Sequence, residues 1–292
     1  MRFILKSEVI SMNKKIVKAM VGKDVKQLLK SKRTWMPMLI VTLMLCIIVP
    51  IAISYSGTYA ESALFKSSND IEQVAEKMAV MLKNTDMQKT LHDLDSTGKK
   101  FVFFFLSYLM VSVFLMVTVI NSMVTSTSSF VGEKERGTLE TLLYSPITIR
   151  EMFVSKVLAS FLPSILLTYS AYLVSVVAVN SITYPVYHMV FMLNGMWLIL
   201  MFWLVPLLVL FNILLNVLIS AKMKTFQEAQ QLGGLLVLPF VGLMITQSTG
   251  LFLISPWMLF LAGAVFLILN AGLLMLVIKL NKRNALFESQ VH

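Results

Sequence analysis

The sequence predicts an all-α polytopic membrane protein: six transmembrane helices, an N-terminal amphipathic interface helix, a short helix in a cytoplasmic loop, and a small helical extracellular insertion. Three observations lead there. The chain of 292 residues is 57% hydrophobic and only 14% charged, where an ordinary soluble domain carries about 25% charged residues. Six apolar stretches reach the ~20 residues needed to cross ~30 Å of hydrocarbon. The basic residues then fall mostly on one side of those stretches, as positive-inside insertion requires.

Residues 1–35 form a cytoplasmic N-terminus and 36–292 the six-span domain. The opening MRFILKSEVISMNKK does not read as a cleaved signal, because its apolar part is short and no small-residue cleavage site follows. Over 13–33, Val17, Val21, Val25 and Leu28 recur at helical spacing and make one apolar face. Lys15, Lys23, Lys26, Lys30 and Arg33 project from the opposite side. This is the pattern of an amphipathic basic helix in the cytoplasmic interface, attracted to anionic membrane lipids.

The spans are placed at 36–55, 101–124, 157–179, 190–219, 232–248 and 254–278. Pro206 kinks the fourth, having no N–H to continue the helical ladder. The fifth is short and carries Gly233, Gly234 and Pro239, which suggests a re-entrant connection to the sixth. Ten basic residues precede the first span. Lys134, Arg136, Arg150 and Lys156 lie between the second and third, Lys222 and Lys224 between the fourth and fifth, and Lys279, Lys282 and Arg283 in the tail. The short connections 180–189 and 249–253 have none, so both termini are expected in the cytoplasm.

The extracellular insertion, 56–100, contains a helical pattern at Ile71, Val74, Met78, Met81 and Leu82, capped by Asn69 or Asp70. It is too small for a core of its own and must pack on the membrane domain or on a second copy. The cytoplasmic loop 131–152, VGEKERGTLETLLYSPITIREM, interrupts two apolar runs with four acidic and three basic side chains. From Glu133 to Tyr144 it has strong helix formers, an apolar patch of Leu139, Leu142 and Leu143, and charges at Glu133, Glu135, Arg136 and Glu140. Pro146 ends the helix. Leucines can enter a partner's groove while charges of both signs set register, so this is the form of a docking element.

Several chemistries find no residues in the chain. There is no G-x-x-x-x-G-K-[ST] phosphate loop, no H-E-x-x-H and no G-x-S-x-G. His92, His188 and His292 are scattered, and Cys46 is a lone thiol, so no metal site and no internal disulfide are expected. No catalytic residue is assigned. The net charge of +10 reflects insertion topology rather than nucleic-acid binding. None of the spans holds an Asp or Glu in its middle, which weighs against proton coupling. The polar groups within the spans are neutral: Asn121, Ser122, Thr125, Ser126, Thr127 and Ser128 on the second, Asn212 and Asn216 on the fourth, then Gln247 and Asn270. Such groups most often tie helices together at about 0.6 kcal/mol each. Asn121, Asn212 and Asn216 are also the candidates for a translocation path.

The passage GEKERGTLETLLYSPITIREMFVSKVLAS, 132–160, resembles the first cytoplasmic loop of type-2 ABC exporter permeases. Glu133, Glu135, Arg136, Gly137, Thr138, Glu140, Pro146 and Lys156 carry the resemblance, and FQEAQQLGGLLVLP, 226–239, is similar to the segment leading into the fifth span of the sodium- and drug-extruding branch. The six-span plan and the extracellular insertion match too, although the insertion is shorter than in the larger sodium-extruding members. The resemblance implies a plasma-membrane permease subunit of a prokaryote, working as a homo- or heterodimer with two separately encoded ABC ATPase subunits. ATP and Mg would be bound by those partners, with no cofactor in this chain. The helix at 133–145 would be the coupling helix seated in the ATPase, the N-terminal helix a second contact, and the path would lie at the dimer interface. Drugs, peptides, lipids and sodium all stand as cargo. A membrane anchor or immunity-type protein that binds a toxin or signalling partner would share the topology without transporting.

Overall fold

Polar caps and two prolines, Pro50 and Pro206, set several of the starts and bends in this apolar chain, while Pro37, Pro163 and Pro185 lie inside continuous helices. The computed structural model describes residues 13–59, 94, 96–135, 147–223 and 225–280. Among them all regular structure is helical, and six helical stretches are long and apolar enough to cross a membrane. The fold class and span count agree with the sequence reading.

Helix α1 (Lys14–Lys30) is capped by Asn13, whose side chain accepts the Lys15 N–H at 3.1 Å. A single non-helical residue, Ser31, separates it from the first span, formed by α2 (Lys32–Leu43), a π-helical turn (Met44–Ile48) and α3 (Val49–Thr58). The second span is α4 (Thr97–Phe104), a π-turn (Phe105–Leu109) and α5 (Met110–Glu135). The third is one helix, α6 (Ile149–Tyr187). The fourth joins α7 (Gly195–Ile199) through a π-turn (Leu200–Leu204) to α8 (Val205–Lys222). The fifth is α9 (Phe226–Gly234), a 3-10 turn (Leu235–Val237) and α10 (Leu238–Ser248), and the sixth is α11 (Pro256–Leu280).

The second span is the hub. Its most apolar window is 89% buried, against 11–22% for the first, fifth and sixth, which leaves those three to face lipid or another subunit. Phe114, Tyr172 and Trp197 meet in its upper core, with Trp197 stacked on Tyr172 at 5.7 Å and edge-on to Phe114 at 5.4 Å. Near the outer end the first and second spans cross at Gly57 and Gly98, where a Cβ on Gly98 would stand 2.9 Å from the Gly57 carbonyl oxygen.

The predicted kink at Pro206 takes the form of a π-turn ending two residues before the proline, and Pro50 in the first span repeats the arrangement. Each ring removes a backbone donor, and the widened turn makes room for it. The third span satisfies a carbonyl at each break. The Ser175 hydroxyl donates to the Cys46 carbonyl, and the Tyr169 hydroxyl donates to the Met201 carbonyl at 2.7 Å.

Three boundaries differ from the sequence expectation. The third-span helix has 39 residues, about 58 Å at 1.5 Å per residue, so it overhangs a ~30 Å hydrocarbon core by several turns. Helix α9 extends the fifth span back to Phe226, because Thr225 accepts the Glu228 N–H at 3.2 Å and caps it there. The link to the sixth span is a plain turn, not a re-entrant segment. Gly250, with φ 67°, donates its N–H to the Gln247 carbonyl and Leu251 to the Thr246 carbonyl, a Schellman cap. Ser255 then accepts the Met258 N–H at 3.3 Å as α11 begins.

Candidate functional site

Charge and interhelical polarity concentrate at one end of the bundle, where α1, the end of α5, the start of α6 and the start of α9 meet. The second-span helix does not stop at the membrane boundary expected near residue 124 but runs on to Glu135. Glu133 and Glu135 therefore belong to the second-span helix, while the rest of the stretch expected to form the loop helix lies outside the described residues. The reason is continuity: the Ser/Thr-rich run 125–129 packs against the third-span helix and keeps the second in register past the apolar limit. The exposed Glu135 carboxylate accepts the Phe226 N–H at 3.3 Å, which bridges the second span to the first turn of the fifth. Arg136, Gly137, Thr138, Leu139, Glu140, Leu142, Leu143 and Pro146 lie outside the described residues, as does residues 60–93 of the insertion.

On the other side of the loop, Thr148 and Glu151 build a reciprocal cap. Thr148 Oγ1 accepts the Glu151 N–H at 3.2 Å, and Glu151 Oε2 accepts the Thr148 N–H at 3.1 Å and its hydroxyl at 2.8 Å. The remaining oxygen, Oε1, accepts the backbone N–H of Asn13 at 2.8 Å. One carboxylate, 3% exposed, thus starts the third span and holds the first residue before α1. Sequence reasoning left Glu151 out of its candidate set, although Thr148-Ile149-Arg150-Glu151 is a legible capping box. Lys156, also buried, donates to the Ser129 carbonyl at 2.7 Å and lies 5.8 Å above the Phe130 ring, joining the second and third spans one turn further in.

Helix α1 is amphipathic as expected, but its faces are used differently. Val17, Met20, Asp24 and Leu28 are buried, with Val21 and Val25 half-buried, so the face is turned relative to the predicted Val17, Val21, Val25, Leu28 stripe. That face packs against the third-span helix instead of lipid. Lys15 and Lys26 are exposed.

The asparagines named for a path are brought together and donate hydrogen bonds within the bundle, while the buried Asn216 Oδ1 accepts none. Asn121 accepts from the Thr42 hydroxyl of the first span at 3.1 Å and donates to Thr168 of the third at 3.5 Å. Asn212 donates to the Val119 carbonyl at 2.8 Å and the Ser122 hydroxyl at 2.6 Å. Asn216 donates back to the Asn212 carbonyl at 2.9 Å, and its side-chain oxygen sits against Gly233 of α9. Thr125 and Ser164 share a hydroxyl pair at 2.7 Å. Neutral hydrogen bonds of this kind lock four spans together in hydrocarbon, where every polar group needs a partner. Among the described residues no group of His, Cys, Asp and Glu could hold a metal ion.

Among the described residues, five apolar spans around a buried second span, joined by neutral hydrogen bonds, define a multi-pass helical membrane protein with a charged cluster at one end. The profile described as ABC-2 family transporter protein matches residues 19–276, from within α1 to the last span, and the chain belongs to that family. Comparison with curated proteins and with solved structures returned no match.

Proposed function

We propose that the chain is the membrane-spanning permease subunit of an ATP-driven exporter, a dimer whose work comes from two separate cassette ATPases that bind ATP and Mg. The observation that carries this is the build of the charged end. Residues 136–146 connect the second and third spans, and Glu135 and Glu151 tie the ends that flank them to the fifth span and to α1. A push delivered by a partner at those ends would reach the hub helix, two of its neighbours and α1. Family membership supports an ATPase partner in general. On this reading Leu139, Leu142 and Leu143 give affinity, while Glu133, Arg136 and Glu140 give register. The translocation path lies where the exposed first and fifth spans meet a second copy or paralogue. Both termini are cytoplasmic and the membrane is the plasma membrane of a prokaryote.

Placing a photo-crosslinking residue at Leu142 in the native cell tests the partner directly. Capture of a soluble ATPase with a phosphate-binding loop is the expected result. Capture of a non-ATPase protein, with no ATPase at any loop position tried, would instead favour a membrane anchor or immunity-type protein.

A further inference from the structure

Hydrocarbon offers no bulk water to a buried polar group, so an unpartnered one inside a bundle of spans points to a bound group. Three such atoms lie on facing turns of α5 and α8: Thr127 Oγ1, Asn216 Oδ1 and Ser220 Oγ, on residues no more than 7% exposed. Their neighbours on α5 do not share the condition. Ser122, Thr125 and Ser126 each donate a hydroxyl to the carbonyl four residues back, the usual recourse of such side chains within a helix, and Thr127 does not.

Helical register brings the three together. Asn212 donates to the Val119 carbonyl and to Ser122 Oγ, which sets residue 212 of α8 level with 119–122 of α5. One turn on, Asn216 and Met123 both approach Gly233 of α9: a Cβ built there would stand 2.8 Å from Asn216 Oδ1 and 2.8 Å from Met123 Cγ. Helices α5 and α8 therefore run the same way, and the next turn of each carries Thr127 and Ser220. Helix α9 runs against them and turns its buried Ala229, one turn before Gly233, toward that level. Three helices thus meet at a seam whose α9 side is built from the two smallest residue types.

We propose that this seam is a water-binding site, with internal water held by Thr127 Oγ1, Asn216 Oδ1 and Ser220 Oγ, so that the start of the fifth span rests on the second and fourth partly through solvent. The ligand set suits water. All three atoms are neutral, the two hydroxyls can donate or accept, and the amide oxygen accepts, which together supply the roughly three hydrogen bonds a buried water makes. A bare cation would find no carboxylate among them to balance its charge. The site does not depend on what drives the chain.

The test is hydroxyl-radical footprinting of the full chain in nanodiscs. Brief X-ray pulses generate radicals from bound as well as bulk water, and a methionine beside a bound water is oxidised although it is buried. Met123, 6% exposed, is compared with Met196, which is 8% exposed in the fourth span. Oxidation of Met123 several-fold faster than Met196 is expected. Thr127→Val combined with Ser220→Ala removes two hydroxyls at nearly constant shape and should bring Met123 down to the rate of Met196. Equal rates in the wild type would show a dry seam and overturn the proposal, as would a fast Met123 rate that the double variant leaves unchanged. A Met123 rate that falls several-fold when sodium chloride replaces choline chloride would overturn it in favour of a cation. The wild-type comparison needs no variant, so a packing defect in the double variant does not blunt the result.

Discussion

Individual polar side chains do the joining that apolar contacts cannot do between helices already surrounded by lipid tails. Asn212 is the clearest case, because its side-chain amide donates to two groups of the hub helix and its Oδ1 accepts from Asn216 at 3.2 Å. Replacing Asn212 with Leu should cost roughly 0.6–1.7 kcal/mol, read as a lowered midpoint in a denaturation titration of the purified protein in micelles. No change in midpoint would mean the bonds are readily exchanged for others. Glu151 acts differently, since it links segments 138 residues apart. Glu151→Ala should release the start of α1, seen as faster amide hydrogen exchange over residues 13–20 with exchange in the core of α5 unchanged. Unaltered protection of α1 would show that its apolar face alone holds it. No local pattern announces the Asn13 contact, so this part of the site could not be read from sequence, while the Thr148–Glu151 cap beside it could.

At the scale of elements, the existence and order of the spans were legible because hydropathy is a property of the chain itself. Their lengths were not. The second and third helices overhang the apolar stretches because the Lys156 side chain donates to the Ser129 carbonyl and because the Thr148–Glu151 cap sets the start of α6, and hydropathy scores Lys156 and Glu151 as breaks. The face of α1 was displaced for a similar reason: Met20 and Asp24 lie on the packed side, a choice made by the third span and not by helical periodicity. The fifth span offers a test of close packing. A Cβ on Gly233 would stand 2.8 Å from both Asn216 Oδ1 and Met123 Cγ, whereas Gly234 next to it has nothing within 4 Å. Gly233→Ala should destabilise by about 1–3 kcal/mol as Met123 and Asn216 give way. Gly234→Ala should be neutral or stabilise by up to about 1 kcal/mol through helix propensity. Equal effects of the two in a thermal unfolding assay would contradict the packing of α9 against α5 and α8.

For the whole molecule, a buried hub, three exposed spans and one charged end make up, on the proposed reading, a subunit driven by a partner. Orientation can be checked with impermeant thiol reagents on intact cells. A cysteine at Thr225, beside the Glu135 bridge, should stay unlabelled until the cells are opened, whereas one at Leu251, 69% exposed in the turn before the sixth span, should react at once. Cys46, fully buried, gives no background in either case. The reverse pattern would turn the charged end outward and remove it from any cytoplasmic ATPase. The measurement that bears most directly on the central claim is co-purification of the tagged protein from its native cells in mild detergent with nucleotide present, beside an Arg136→Glu variant. The wild type should bring down a soluble cassette ATPase, and the variant should insert normally but lose it. Recovery of the ATPase with neither protein would contradict the claim that this chain is driven by such a partner.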